Sequence, residues 1–198
     1  MGSPLHPRVE RAGAGVWPEW ARVTDARHRH AESVAACLDT WARALGLGER
    51  ERARWRAAGL LHDALRDAPP ETFDPEAAPD WPAPLRHGPA TALRLRREGV
   101  DDEELLAAIA YHTTGHPDFG LLGRFLYLAD ALEPGRPWRP AWRAALRARL
   151  PEDADAVLRE VAAARIADAV RRGHPLRPET VGFWNALAAG RHDGGRRP

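Results

Sequence analysis

The sequence predicts one all-α domain. Apolar residues recur at helical spacing, and the strict alternation of a half-buried strand is missing from every long window. Prolines and glycines cut the pattern into pieces of helix length. At 198 residues the chain fits a single domain that can bury a core and a site.

Taken in order, residues 1–23 are rich in Pro, Gly and Trp and read as a loose N-terminal segment, the domain proper runs over 24–189, and 190–198 read as a disordered tail. Thr24 or Asp25 caps a first helix whose stripe is Val34, Leu38, Trp41 and Leu45, closed at Gly46 or Gly48. A second helix runs from about Glu49 to Arg66, turns Ala53, Ala57, Leu60, Leu61 and Leu65 inward, and carries His62-Asp63 near its end. Residues 67–84 hold most of the central prolines and two acidic clusters, the composition of a long surface loop and a candidate lid. Pro89 suits the first turn of a short helix through Leu95; beyond Gly99, Asp101 caps another from Asp102 to His112. Further helices cover about Phe119–Leu132, stopped by Pro134-Gly135, then 153–172 and 178–189.

Composition narrows the function. With 29 basic and 28 acidic residues the net charge is +1, so no one-sided field exists to grip a nucleic acid. Every basic residue is arginine in an alanine-rich chain, a bias that gives single arginines little weight. One cysteine, Cys37, excludes an intrachain disulfide and fits a reducing cytosol; beside Leu38 and Trp41 it reads as an inert buried thiol. The chain starts without a leader pattern and has no apolar run of the ~18 residues that span a bilayer, so a soluble, cytoplasmic protein with no membrane partner is expected. The eight tryptophans, among them Trp17, Trp20, Trp138 and Trp142, are assigned to core or interface packing rather than base stacking.

Polar residues interrupt the apolar stripes at telling places. His30 precedes Val34 by one turn, His112 follows Ile109, Asp130 follows Leu126, and His87 heads a helix. A polar group on a core-facing stripe must be paired, and imidazoles with carboxylates between helices satisfy one another most readily through a metal. Any one of these histidines alone is equally well read as a satisfied core residue; the set is not. With His62 and Asp63 there are six ligands, more than the four of a structural tetrahedral ion, and a mixed His/Asp set suits two first-row ions such as iron, manganese or zinc.

Five strings complete the pattern: Arg27-x-x-His30-x-x-x-Val34, Leu61-His62-Asp63, His87-Gly88-Pro89 with Ala92, Tyr111-His112-Thr113-Thr114-Gly115, and Leu128-Ala129-Asp130 with Glu133-Pro134-Gly135-Arg136. From about Arg27 to Leu187 the chain thereby resembles the HD-domain superfamily, and within it the YqeK family of bacterial dinucleoside tetraphosphatases.

The resemblance implies an HD helical bundle with a metal site between helices. His30, His62, Asp63, His87, His112 and Asp130 would ligate two divalent or mixed-valence ions, iron by family, with manganese, cobalt or zinc as alternatives, and Asp63 between them. It implies symmetrical cleavage of diadenosine tetraphosphate to two ADP, Asp63 and Arg66 in catalysis, and Arg27, Arg66, Thr113, Thr114 and Arg136 on the substrate. Two cations would acidify water and clamp the oxygens of an in-line displacement, so no protein nucleophile is needed.

This chain departs from the family at Arg66, where a lysine is usual, at His28, usually aromatic, and at Ala110 and His116, where arginines often flank the Tyr-His-Thr-Thr-Gly string. Two other readings share these residues: an HD phosphohydrolase of mononucleotides or a signalling nucleotide, and a non-catalytic nucleotide-binding module, against which the intact six-ligand set argues. A homodimer is compatible with the sequence and not required by it.

Overall fold

Nine α-helices and two 3-10 turns, with no strand, make up residues 4–190, the part of the chain that this computed structural model describes. The tail expected to be disordered lies, from residue 191 on, outside the described residues, as does His192. The helices are α1 (Pro7–Gly13), α2 (Asp25–Ala44), α3 (Glu49–Leu61), α4 (His87–Arg97), α5 (Glu103–Tyr111), α6 (Leu121–Leu132), α7 (Pro140–Arg147), α8 (Ala154–Arg171) and α9 (Pro178–Ala188). Among the described residues no helix is long and apolar enough to cross a membrane.

The bundle is organised around α6. Leu122, Phe125, Leu126, Tyr127, Leu128 and Leu132 are all buried, and a helix apolar on every side must sit at the centre of its domain. The ring of Phe125 packs 5.2 Å from Trp55 on α3 and 5.9 Å from Trp41 on α2. Each such side chain contributes ~1.5–3 kcal/mol on burial, so placing Asp130 on this helix fixes it firmly in space.

Two glycines set how closely the surrounding helices approach. A Cβ on Gly59 would lie 2.6 Å from the Ala35 backbone, so α3 meets α2 in direct contact; one on Gly88 would lie 2.8 Å from the carbonyls of Ile109 and Ala110, which draws α4 onto α5. These two contacts bring His30, His62, His87 and His112 within reach of one another.

Several boundaries differ from the sequence reading. The stretch taken as a loose start contains α1, with Pro7 at its first turn and the His6 side chain accepting from the Arg8 N–H. Its Val9 and Ala12 join the same core as α2 and α3. The second predicted helix stops at Leu61, and His62-Asp63 opens a chain of turns held by Ala64 N–H to the Leu61 carbonyl and Arg66 N–H to the Asp63 carbonyl. Arg22 also pairs with this turn, donating to the Ala64 carbonyl and accepting from Asp67. The cap of α5 is Asp102, whose carboxylate accepts from the Leu105 N–H, and not Asp101.

Residues 67–84 are more ordered than a lid requires. Phe73 and Ala77 are buried with Ala68 and Ala90 in a small second core, and the prolines start 3-10 turns at Pro70–Thr72 and Ala83–Leu85. The turn chemistry was legible, but the inward Phe73 was hidden among polar neighbours. Helix α7 was missed because Pro140 reads as a breaker, whereas it occupies the first turn.

Candidate metal centre

Five elements deliver the six side chains. Helix α2 carries His30, the turn after α3 carries His62 and Asp63, the first residue of α4 is His87, His112 ends α5, and Asp130 lies in the last turn of α6. All but His30 are buried, and its side chain is only 9% exposed.

Asp63 stands between two sets of ring nitrogens. Its Oδ1 lies 3.1 Å from His87 Nε2 and 3.5 Å from His112 Nε2; its Oδ2 lies 3.6 Å from His62 Nε2 and 3.9 Å from His30 Nε2. Asp130 Oδ1 completes the second set at 3.2 Å from His30 Nε2 and 4.0 Å from His62 Nε2. Two groups, His30 with His62 and Asp130, and His62 with Asp63 and His112, each have ligand atoms within 4.8 Å of one another.

The opposite nitrogens explain why Nε2 points inward. Nδ1 of His62 and of His112 each lies 2.8 Å from the carbonyl three residues earlier, Gly59 and Ile109, while Nδ1 of His30 lies 3.1 Å from Glu133 Oε1. An Nδ1–H donated to each oxygen leaves the Nε2 lone pair for the centre. His87 Nδ1 lies 3.1 Å from both the Pro84 carbonyl and Arg66 Nη1, and donation to the carbonyl completes the same pattern.

Those lone pairs have too few protons. His62 Nε2 is fully buried without a hydrogen-bond partner, and His87 Nε2 lies 3.1 Å from both His112 Nε2 and Asp63 Oδ1, so two ring nitrogens and a carboxylate oxygen crowd one point. Buried polar atoms are almost always satisfied, so an orphaned ring nitrogen beside crowded ring nitrogens and carboxylate oxygens fits a cation. Five of the six residues make up the two groups that fit metal ions, and His87 adjoins them through Asp63 Oδ1 at 3.1 Å.

Protonation agrees. Burial disfavours charge on His62 and brings its pKa down to about 4; burial likewise lowers His87. At Asp63 burial opposes ionisation, but the neighbouring His62, His112 and His87 rings outweigh it and hold the carboxyl well below its usual range. Asp130 behaves alike: Arg165 and His30 overcome burial. At His30 burial lowers and Asp130 and Glu133 raise, with a net rise. Neutral His62 and His87 beside ionised Asp63 and Asp130 are in the forms that metals bind, whereas His30 would release its proton on joining them.

The remaining expected residues ring this centre. Arg27 Nη1 donates to Asp63 Oδ2 at 3.1 Å, Thr113 Oγ1 lies 3.1 Å from His112 Nε2, and Arg136 contacts Asp130 and, at 3.3 Å, His30 Nε2. Arg66 stands behind His87, donating to the Pro84 carbonyl at 2.5 Å. Thr114 is turned to the backbone carbonyls of Tyr111 and Gly115.

Two residues escaped the sequence reading. Glu133 was quoted within a motif but given no part, although it accepts from His30 and from the Gly135 N–H at 2.6 Å. Arg165 donates to Asp130 Oδ2 at 2.6 Å and lies 4.4 Å over the Tyr127 ring. Nothing in a chain so rich in arginine distinguished it beforehand.

Comparisons with known proteins agree with this geometry. The symmetrical bis(5'-nucleosyl)-tetraphosphatase of Halalkalibacterium halodurans is 32% identical over 104 residues, which span 52% of this chain and 54% of that protein, about half its length. The Bacillus subtilis protein of the same name is 27% identical over 178 residues, 85% of this chain and 93% of that one. A crystal structure of an HD superfamily hydrolase from Clostridium acetobutylicum, described as involved in NAD metabolism, superposes with a TM-score of 0.73 at 26% identity, covering 96% of this chain and 100% of that one. The family model of the HD domain matches residues 27–135, a stretch holding all six convergent side chains, and the chain belongs to that family.

Proposed function

We propose that this protein is a metal-dependent phosphohydrolase that cleaves diadenosine tetraphosphate symmetrically into two ADP. The observation that supports it is the convergence of six ligand side chains, with His62 Nε2 buried and unpartnered and Asp63 between His30 and His62 on one side and His87 and His112 on the other. The names of the relatives supply the substrate. First-row cations bound there, iron by family, would supply Lewis-acid charge to the phosphoryl oxygens and acidify water at the reacting phosphorus.

The chain's own residues orient and stabilise. Asp63 and Asp130 hold their negative charge at neutral pH, and the backbone carbonyls and Glu133 hold the rings. Arg27 and Arg136 line the carboxylates with guanidinium groups that match phosphate oxygens in a bidentate way. Thr113 Oγ1 offers a hydroxyl beside His112 for a phosphate oxygen or water. Arg66 adds positive charge behind His87. In the net reaction a water oxygen bonds to an inner phosphorus, the central P–O bond breaks, and the leaving ADP takes up the electron pair.

The test is to purify the full chain without chelator, measure its metals, and assay diadenosine tetraphosphate against mononucleotides and signalling nucleotides. Close to two first-row ions per chain and ADP alone as first product are expected, with one heavy-oxygen label per ADP pair from labelled water. ATP with AMP as first products would overturn symmetrical cleavage. Brisk hydrolysis of a mononucleotide with no turnover of the dinucleotide would move the substrate to that class. Absence of metal, with no activation by iron, manganese or cobalt, would overturn the metal-dependent reading.

A further inference from the structure

Two cavities meet beside the metal centre, and they differ in chemistry. The first, about 480 Å³, has Asp130 and Arg136 at its inner end and Trp138, Trp142 and Arg143 beyond. The second, about 390 Å³, has Thr114 and Tyr127 at its inner end and Ile166, Ala169 and Leu176 beyond. Both volumes fall in the ~300–1,000 Å³ range of small-molecule sites. Thr113 and Arg165 line both. Arg165 is the partition: Nη2 donates to Asp130 on the first side, and Nη1 donates to the carbonyls of His112 and Thr113 at 3.3 and 3.4 Å on the other.

The first cavity is built for an anion that carries a ring. Arg143 Nη1 is buried without a partner, while Arg143 Nε donates to the Trp138 carbonyl at 2.6 Å and so locks the guanidinium to the tryptophan loop. The other charges there are already matched: Arg136 and Arg165 hold Asp130, and Arg172 holds Asp168 at 2.9 Å. Trp138 is 49% exposed, and Trp142 is partly buried against the core. Their rings stand at 68° with centroids 6.1 Å apart, and the guanidinium groups of Arg139 and Arg143 lie 5.2 and 5.6 Å from the Trp138 centroid, so the exposed part of that ring sits beside positive charge. Arg139 between them adopts φ 50°, a left-handed conformation that a non-glycine residue holds at a cost, typical of a segment selected for presentation.

We propose that the two cavities are the two nucleoside ends of one dinucleoside polyphosphate site: one base stacks on Trp138 with phosphate at Arg143, the other enters the apolar cavity beside Leu176. This rests on the dinucleoside reading above. A substrate with two nucleosides and one central break needs a base site on each side of the reacting phosphorus. Asp130 lines the first cavity, Thr114 lines the second, and Thr113, in contact with His112 of the other ligand group, stands between them and lines both. These walls come mainly from residues 136–180, beyond the matched family stretch of 27–135, so base preference can vary while the metal ligands do not.

The test is calorimetric titration of the full-length, manganese-loaded protein with ADP and, under non-turnover conditions on ice, with diadenosine tetraphosphate. Wild type is expected to take two ADP per chain. Trp138→Ala should weaken one site about tenfold, ~1.4 kcal/mol, within the range of a base on an aromatic ring, and leave the other. Trp138→Phe should restore most of it, which a loss of mere packing would not explain. Ala169→Leu, which fills the apolar cavity, should weaken the other site; Ile166→Phe is the second filler if that variant misfolds. For both classes KM for the dinucleotide rises more than kcat falls, with metal content unchanged. One ADP per chain, or two sites indifferent to Trp138→Ala, would overturn this assignment and leave the hydrolase reading standing. Failure of wild type to bind either nucleotide would overturn that reading and this one with it.

Discussion

Arg54, midway along α3, and His62, just past its last residue, each anchor a cluster of charged or polar side chains, the first partly exposed and the second buried. Around Arg54 every requirement is met. Its Nε and Nη2 grip Asp102 at 2.5 and 2.7 Å, Nη2 also reaches Glu104 at 2.9 Å, and Nη1 reaches Glu51 at 3.1 Å. Asp102 in turn caps α5, and Glu104 accepts from the Leu122 N–H that starts α6. Around His62 the accounts do not close: Nε2 has no partner, and the Nε2 atoms of His87 and His112 face each other at 3.1 Å beside Asp63 Oδ1. A network that serves the fold satisfies its own hydrogen bonds, whereas one that serves a ligand leaves acceptors aimed at a common point. The comparison separates the two uses of buried charge without reference to residue type.

Breaking the open cluster should act on chemistry. Asp63→Ala is expected to lower turnover at least a hundredfold, ~2.7 kcal/mol in barrier, while far-ultraviolet dichroism stays helical. The carboxylate faces four ring nitrogens and supports no apolar packing. Retention of more than a tenth of wild-type activity would remove Asp63 from the reaction.

Breaking the closed cluster should act on the fold. A fully buried pair that loses one partner costs ~3–5 kcal/mol, but Asp102 and Glu104 remain partly exposed, so Arg54→Ala should cost about 2 kcal/mol. That corresponds to a fall of roughly 4–8 °C in Tm. Metal content and kcat measured well below the transition should not change. A loss of activity as large as that of Asp63→Ala, with Tm unmoved, would reverse the comparison.

The sequence showed one cluster better than the other, for a physical reason. Histidines on an apolar stripe are conspicuous, because burying an imidazole is costly unless something satisfies it, so His30, His112 and Asp130 could be picked out from spacing. Arginines on a surface-like face carry no such signal. Arg54 and Arg165 became distinguishable only when α5 and α6 arrived beside them. The same holds for Phe73, whose burial depends on the path of residues 67–84 and not on local pattern. Helical spacing and cap residues gave most of the helices, while the helices opened by Pro7 and Pro140 required knowing that each proline begins an element.

Arg66 lies at the edge of the open cluster and should show an intermediate effect. Its guanidinium touches His87 Nδ1 and the Pro84 carbonyl, not Asp63 or Asp130. Arg66→Ala is expected to lower kcat roughly tenfold, from weaker charge stabilisation of phosphate, with two metals still bound. Kinetics identical to wild type would make it a brace for residues 67–84 alone.

The smallest effect is expected at Cys37, which tests where the open cluster ends. It lies on α2 two turns beyond His30, half-buried, with a side chain that could serve a soft metal if it reached the centre. Burial pushes its thiol up to about 11 from an ordinary value near 9.0. Because the folded state holds the proton more tightly, its contribution to stability is complete below pH 9 and is lost as pH rises through 11. At pH 8 about one folded chain in a thousand carries the thiolate, against roughly one in ten unfolded, so a disulfide reagent such as Ellman's should react about a hundredfold more slowly before denaturation than after. Metal content and turnover should survive long exposure to the reagent in the folded state. Rapid modification with parallel loss of metal would extend the ligand set along α2 and place Cys37 inside the cluster that the comparison leaves it out of.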